Sequence, residues 1–113
     1  MIDFSEEMKL SAQELYNKHT RWGDGLVHIP YHMRDGVVKY VLFGIKPGNF
    51  LSAVISNDLF GAMRRADDIN LHNLNKYGVF FTNYAPSNSY GDPASLTEWC
   101  SIGGLLRRPM EEA

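Results

Sequence analysis

The segment from Gly44 to Asn70 limits the possible folds of this chain more than any other stretch of its sequence. Its apolar residues recur three and four positions apart, the spacing of one buried helix face, and they are Leu51, Val54, Ile55, Leu59, Ala62, Met63 and Ala66. Pro47 and Gly48 predict a turn before them, and the side chain of Asn49 can cap a helix that follows. The sequence therefore predicts a helix from about Asn49 to Arg65 that packs against a core.

Length, composition and charge narrow the class of protein. The chain has 113 residues, 44% of them hydrophobic and 21% charged, which suits one compact domain with a single core. Its formal net charge of −2 predicts no general attraction to a nucleic-acid polymer or an anionic membrane. The single cysteine, Cys100, excludes a disulfide within the chain. There is no signal peptide and no apolar run near the ~20 residues of a membrane span, so we expect a cytoplasmic protein.

A further helix is predicted between Pro30, which suits a first helical turn, and Gly44, which suits a left-handed C-cap. The inward side chains of this helix would be Met33, Val37, Tyr40 and Val41. Residues 37–43 taken alone also have the composition of a strand, but the caps on either side favour a helix.

Helices are also predicted on both sides of these two. Asp3 and Glu6 resemble the capping box of a first helix that ends near Asn17, and a glycine-rich loop follows it. Asp67 or Asp68 can cap a fourth helix, which supplies apolar side chains up to the next proline.

A short fifth helix is predicted from the Asp92-Pro93 pair, a cap followed by a proline, to the glycines that begin at Gly103. A polar loop, residues 87–91, precedes it. Because no linker or repeat divides the chain, we expect a single all-α domain, residues 1–113, with about five helices.

The sequence indicates neither a metal site nor a catalytic nucleophile. Its four histidines lack the spacing of metal ligands, and Pro30 interrupts the helix that could bring His28 and His32 onto one face. Cys100 has the setting of a small buried hydrophobe, and no GxSxG motif or P-loop is present. We therefore expect no metal, no cofactor and no enzymatic activity.

Polar residues of the central helix form one candidate binding set, and they are Asn57, Asp58, Arg64 and Arg65. The arginines offer paired N–H donors to a phosphate group, and the other two side chains offer hydrogen-bonding oxygens. The alternative is a solvated face whose charges serve only helix caps and ion pairs, of which Arg64 with Asp68 has the easiest geometry.

The loop before the fifth helix forms a second candidate set. Tyr84, Ser87 and Tyr90 supply hydroxyl groups and two rings that suit a base, a ribose or a phosphate, although such loops are also common on ordinary surfaces. The turn from Lys46 to Asn49 is a further candidate for binding an anion, and ordinary helix capping is the alternative there.

A series of motifs in this chain resembles a family of small uncharacterised proteins from tailed bacteriophages and prophages. The motifs are Tyr31-x-Met33, Gly44-Ile45-x-Pro47-Gly48-x-Phe50-Leu51-x-Ala53-Val54, Asn57-Asp58-Leu59, Ala66-Asp67-Asp68-x-Asn70, Pro86, Gly91, Trp99 and Gly103-Gly104-Leu105. The resemblance covers residues 30–105, so residues 1–29 would be a variable helix and loop and residues 106–113 a tail. Asn83-Tyr84 and Gly91-Asp92 depart from the family pattern.

The resemblance implies a role against host defence. We expect a homo-oligomer that binds and sequesters a nucleotide immune signal, either an ADP-ribose derivative or a cyclic nucleotide, in the host cytoplasm without cleaving it. In this hypothesis Asn57 and Asp58 contact the ribose or base, and Arg64 or Arg65 binds phosphate. The rings that would stack on the base are those of Tyr84, Tyr90 or Trp99.

Two alternatives stay open. A non-enzymatic adaptor would bind a host protein through one helix face, and it would have no small-molecule ligand. A hydrolase of the same nucleotides ranks last, because the sequence shows no histidine or metal-binding constellation to support it.

Overall fold

The computed structural model describes residues 10–107, and these contain helices and turns but no strand. The α-helices in that range are α1 (Ala12–His19), α2 (Tyr31–Phe43), α3 (Asn49–Ile55), α4 (Leu59–Arg65), α5 (Asp68–His72), α6 (Leu74–Tyr84) and α7 (Pro93–Ile102). Short 3-10 helices lie at Gly23–His28 and Ser87–Ser89. The all-α prediction is confirmed, whereas the expected number of about five helices is wrong because the described residues alone hold seven α-helices.

The predicted central helix is two helices, α3 and α4, joined by a turn. Asn57 in that turn has a positive φ of 64°, a left-handed conformation that asparagine tolerates better than most residues. Asp58 then starts a new helix, because its carboxylate accepts a hydrogen bond from the N–H of Gly61 at 3.0 Å. The Asn57-Asp58 pair, predicted on a polar helix face, therefore forms the corner between two helices.

This corner also changes which apolar residues are buried. Leu51, Ile55 and Ala62 of the predicted apolar face lie in the core, but Leu59 and Met63 are 57% and 45% exposed. One continuous helix would bury all five on the same side. The new helix direction after Asn57 instead leaves part of α4 facing outward.

Other helix boundaries differ from the predicted ones. α1 begins after a capping box of Ser11 and Glu14, and it runs past the predicted end near Asn17. The capping pair predicted at Asp3 and Glu6 lies outside the described residues.

The structure confirms one predicted cap of the middle helices and corrects another. Gly48 is the N-cap of α3, so Asn49 is the first helical residue rather than the predicted cap. Asp67 caps α5 by accepting a hydrogen bond from the N–H of Asn70 at 2.7 Å. The predicted fourth helix is in fact α5 and α6, which meet at Asn73.

α2 lies at the centre of the core, and a strand over residues 37–43 is excluded. Its buried side chains are Val37, Val38, Tyr40, Val41, Leu42 and Phe43. Gly44 ends the helix with a φ of 69°, as predicted from the glycine C-cap.

The segment after α7 packs along α2 through its backbone. The N–H groups of Leu105 and Leu106 donate to two carbonyl oxygens near the end of α2, at 2.9 and 3.0 Å. A helix end normally leaves such carbonyls without an intrahelical partner. The close approach depends on glycine, because a Cβ on Gly104 would lie 2.5 Å from the nitrogen of Gly44.

Two buried tyrosines fix the loop between α6 and α7. The hydroxyl groups of Tyr16 and Tyr40 donate to the carbonyl oxygens of Tyr84 and Ser89, each at 2.6 Å. Burial raises the pKa of both hydroxyls far above the ordinary value, so both stay neutral hydrogen-bond donors. The loop is therefore anchored to the core at two points.

Three carboxylates that accept cap hydrogen bonds should make stability depend on acid pH. Backbone N–H groups donate to Glu14, Asp67 and Asp92, and these bonds lower the pKa of each carboxyl. Because the folded pKa is depressed, this stabilisation is present above the unfolded pKa of about 4 and is lost as the pH falls through the folded pKa. We expect the free energy of unfolding, measured in urea, to decrease below about pH 4.

The double variant Asp67→Asn with Asp92→Asn should show a shallower decrease, since asparagine still caps a helix but carries no charge. Glu98→Gln, which alters an exposed carboxylate outside the caps, should follow the wild-type curve. A free energy of unfolding that is constant from about pH 6 to pH 3 would contradict this account.

Candidate functional site

The corner between α3 and α4 forms one wall of a polar groove with a volume of about 420 Å³. The residues that line it are Asn49, Ser52, Ala53, Ser56, Asp58, Arg65 and Pro93. The first four are spaced three, one and three positions apart, so they lie along one side of α3. The helix break brings this side of α3 to face both ends of α4.

Asp58 and Arg65 supply the two charges of the groove, and both contact the backbone of Gly61. The Asp58 carboxylate accepts from the Gly61 N–H, and the Arg65 guanidinium donates to the Gly61 carbonyl oxygen at 3.2 Å. A Cβ on Gly61 would meet the Asp58 carboxylate, so any other residue here would have to displace that side chain. Arg65 has five N–H donors, and most of them make no hydrogen bond to the described residues.

The side chains of the groove can bind phosphate and hydroxyl groups. A guanidinium group can hold a phosphate through two parallel hydrogen bonds, and a carboxylate accepts hydrogen bonds from sugar hydroxyls. Ser52 and Ser56 add hydroxyl groups, although that of Ser52 already donates to the Pro47 carbonyl oxygen at 3.2 Å. No aromatic ring is among its lining residues, so it offers no stacking surface for a base.

Only two of the eight predicted ligand residues, Asp58 and Arg65, line this groove. Asn57 lies in a smaller cleft between α4 and α6, and Asp58 lines that cleft as well. Arg64 is exposed and lines neither cleft. The predicted ion pair between Arg64 and Asp68 is not formed, and Arg64 makes no other ion pair within residues 10–107.

None of the three predicted aromatic residues lines the groove. Trp99 is 3% exposed, and its indole N–H is shared between the carbonyl oxygens of Tyr40 and Val41, at 3.1 and 3.2 Å. Tyr84 is half-buried and stacks on His28, with ring centroids 5.3 Å apart. Trp99 is thus a core residue in this structure, and its ring is not placed to stack on a ligand.

Tyr90 and Ser87 lie on the loop that leads to α7. Tyr90 is half-buried against Phe81, with ring centroids 5.7 Å apart, and Ser87 is exposed at the start of the second 3-10 helix. Gly91, which follows Tyr90, donates its N–H to the carbonyl oxygen of Ile55 at 2.8 Å. This bond ties the loop to the end of α3 and so positions the start of α7 at the groove.

A second, basic recess was not predicted from the sequence. Its volume is about 660 Å³, and its lining residues are Lys18, His19, Thr20, Arg21, Trp22 and Leu105. Lys18 and His19 occupy the last turn of α1, where a lysine also complements the helix dipole. The hydroxyl of Thr20 is already used, since it donates to the Tyr16 carbonyl oxygen at 2.8 Å. The signal in the sequence was three basic residues within four positions, followed by a tryptophan.

Within residues 10–107, no three His, Cys, Asp or Glu side chains lie close enough together to hold a metal ion. None of the helices in this part of the chain has the length and apolar character required to cross a membrane. Comparison with protein-family models, with curated proteins and with solved structures finds no match. The resemblance to phage proteins, and the function that it implies, therefore stay predictions.

Proposed function

We propose that this protein binds a nucleotide-derived signal without cleaving it, in the polar groove between α3, α4 and the start of α7. The observation that supports the proposal is the convergence of Arg65 and Asp58 on one groove of about 420 Å³. That volume falls within the ~300–1,000 Å³ typical of small-molecule sites.

Each side chain has a distinct role in this proposal. Arg65 binds a phosphate through paired N–H groups. The carboxylate of Asp58 accepts hydrogen bonds from ribose hydroxyls, with the Ser56 hydroxyl beside it. These contacts fix the sugar and phosphate of the ligand and leave its base toward solvent.

The proposed biological setting is sequestration of an ADP-ribose derivative or a cyclic nucleotide by a phage protein in its host. It rests on the motif resemblance, and two residues of those motifs, Ala53 and Asp58, line the groove. Binding without cleavage is part of the proposal, so the recovered ligand must be intact.

Arg65→Gln should weaken nucleotide binding about tenfold to a hundredfold, because a hydrogen bond to a charged group is worth roughly 1.5–3 kcal/mol. The measurement is isothermal titration calorimetry with ADP-ribose, cyclic ADP-ribose and cyclic dinucleotides. Asp58→Asn should also lose affinity for a ribose-containing ligand, although asparagine still accepts the cap hydrogen bond from Gly61. Mass spectrometry of the released ligand then tests whether it was cleaved.

Two matched controls test whether the ligand binds in this groove or at another basic surface of the protein. Arg64→Gln removes the same charge from the neighbouring residue outside the groove, and Arg21→Gln removes it from the basic recess. Both variants should bind like wild type. Loss of affinity only in Arg21→Gln would place the ligand in the basic recess instead. No binding by any nucleotide would reject the proposal in favour of a protein-binding adaptor.

A further inference from the structure

The exposed apolar side chains of this protein are concentrated on α4 and α5. Five of the eight large apolar residues that are exposed in residues 10–107 lie there, namely Leu59, Phe60, Met63, Ile69 and Leu71. Their exposed fractions are 57%, 71%, 45%, 55% and 44%. Together they present on the order of 500 Å² of accessible surface over the two helices, compared with the ~300–600 Å² covered by the largest apolar patch of a typical monomer.

An apolar cleft opens beside this surface, between α4 and α6. Its apolar lining residues are Val54, Leu59, Ala62, Leu74 and Gly78, its two polar ones are Asn57 and Asp58, and its volume is about 130 Å³. An apolar cavity of about 150 Å³ is known to accept a benzene molecule, so this cleft has the size of one phenyl ring. The Gly78 side is open, since a Cβ there would meet nothing within 4 Å.

We propose that this cleft receives the ring of Phe60 from a second copy of the chain, so that two copies pair through α4 about a two-fold axis. Phe60 directly follows Leu59, which lines the cleft, yet its own side chain is 71% exposed. The exposed ring and a residue that lines the cleft are thus neighbours on α4. A two-fold interface requires this self-complementarity, because each ring then enters the partner's cleft.

The area of the surface agrees with such a pair. A standard interface buries about 800 Å² on each partner, of which roughly 60% is apolar. The ~500 Å² of apolar surface on α4 and α5 accounts for that share.

The first test measures self-association of the full chain by sedimentation velocity over a range of protein concentrations, with no nucleotide added, so its outcome is independent of the proposed function. We expect a dimer in the wild type whose fraction rises with concentration. Phe60→Asp should raise the dissociation constant of the dimer at least about a hundredfold, as for a central interface residue. Tyr31→Asp alters an equally prominent aromatic residue, 84% exposed, and should leave the dimer unchanged.

The second test fills the cleft instead of removing the ring. Gly78→Leu places a side chain in the space that the partner's Phe60 would occupy, so it should weaken the dimer at least about tenfold. Non-specific association would instead become stronger, because leucine adds apolar surface. Gly78→Ala is the matched control, since one methyl group leaves most of the cleft free. Circular dichroism verifies that each variant is folded.

A wild-type chain that stays monomeric at every concentration would overturn the proposal. So would Phe60→Asp and Gly78→Leu variants that are folded and dimerise like wild type, because the interface would then lie elsewhere.

Discussion

Gly104→Ala should destabilise this protein by about 3 kcal/mol and lower its melting temperature by roughly 10 °C or more. Gly104 has a φ of 71°, in the left-handed region that costs a residue with a Cβ roughly 1 kcal/mol or more. The added Cβ would also lie 2.5 Å from the nitrogen of Gly44 and 2.8 Å from the carbonyl oxygen of Leu42. These are backbone atoms, so no side-chain rotation can relieve the contact, and the segment after α7 must move away from α2.

Thermal unfolding followed by circular dichroism measures this effect, and Gly78→Ala provides a control with the same chemical change. Gly78 lies inside α6, and a Cβ there meets nothing within 4 Å. Alanine at that position should stabilise the protein by about 0.5–1 kcal/mol, because it loses less backbone entropy on folding. A Gly104→Ala variant with the melting temperature of the wild type would show that the two backbones do not approach this closely.

Trp99→Ala should cost about 3–5 kcal/mol, the range for removing a large aromatic side chain from a core. The carbonyl oxygens of Tyr40 and Val41 lose the indole donor, but each keeps a backbone donor, from Gly44 and Leu105 respectively. The cavity therefore dominates the loss. Because a domain of this size is stable by only about 5–15 kcal/mol, urea denaturation should show a large fall in the midpoint.

Trp99→Phe separates a core role from the predicted role in ligand stacking. Phenylalanine retains most of the apolar volume and loses the N–H, so the variant should fold with a smaller loss, on the order of 1–2 kcal/mol. Its affinity for a nucleotide should equal that of the wild type, since the ring does not line the polar groove. Weaker nucleotide binding by a Trp99→Phe variant that keeps its stability would contradict the core assignment.

Features that depend on neighbouring residues were predictable from the sequence. The Asp92-Pro93 start of α7, the Asp67 cap of α5 and the left-handed Gly44 are local hydrogen-bonding and backbone requirements. The break between α3 and α4 was not predicted, because the apolar spacing continues through it. Asn57 and Asp58 suit both the polar face of a helix and a cap between two helices, and only the packing around them decides.

The candidate site was predictable only in part for the same reason. On one helix, Asp58 and Arg65 would lie two turns apart. In the structure Asp58 is an N-cap and accepts from the Gly61 N–H, and Arg65 donates to the carbonyl oxygen of the same residue from four positions on. The basic recess is lined in part by Leu105, which is distant in the chain from the other lining residues, so their spacing in the sequence does not predict the recess. Trp99 carries no mark in the sequence that distinguishes a core indole from one that is free to stack.

The hydrogen bonds that join the segment after α7 to the end of α2 bear on how the chain folds during synthesis. The carbonyl oxygens of Val41 and Leu42 receive their donors from Leu105 and Leu106, and the Tyr40 carbonyl receives its indole donor from Trp99. A ribosome adding ~5–20 residues per second needs roughly 3–13 s to proceed from α2 to these donors. Throughout that interval these three carbonyl oxygens lack those donors. The core of this domain is therefore completed only once the segment that follows α7 has been made.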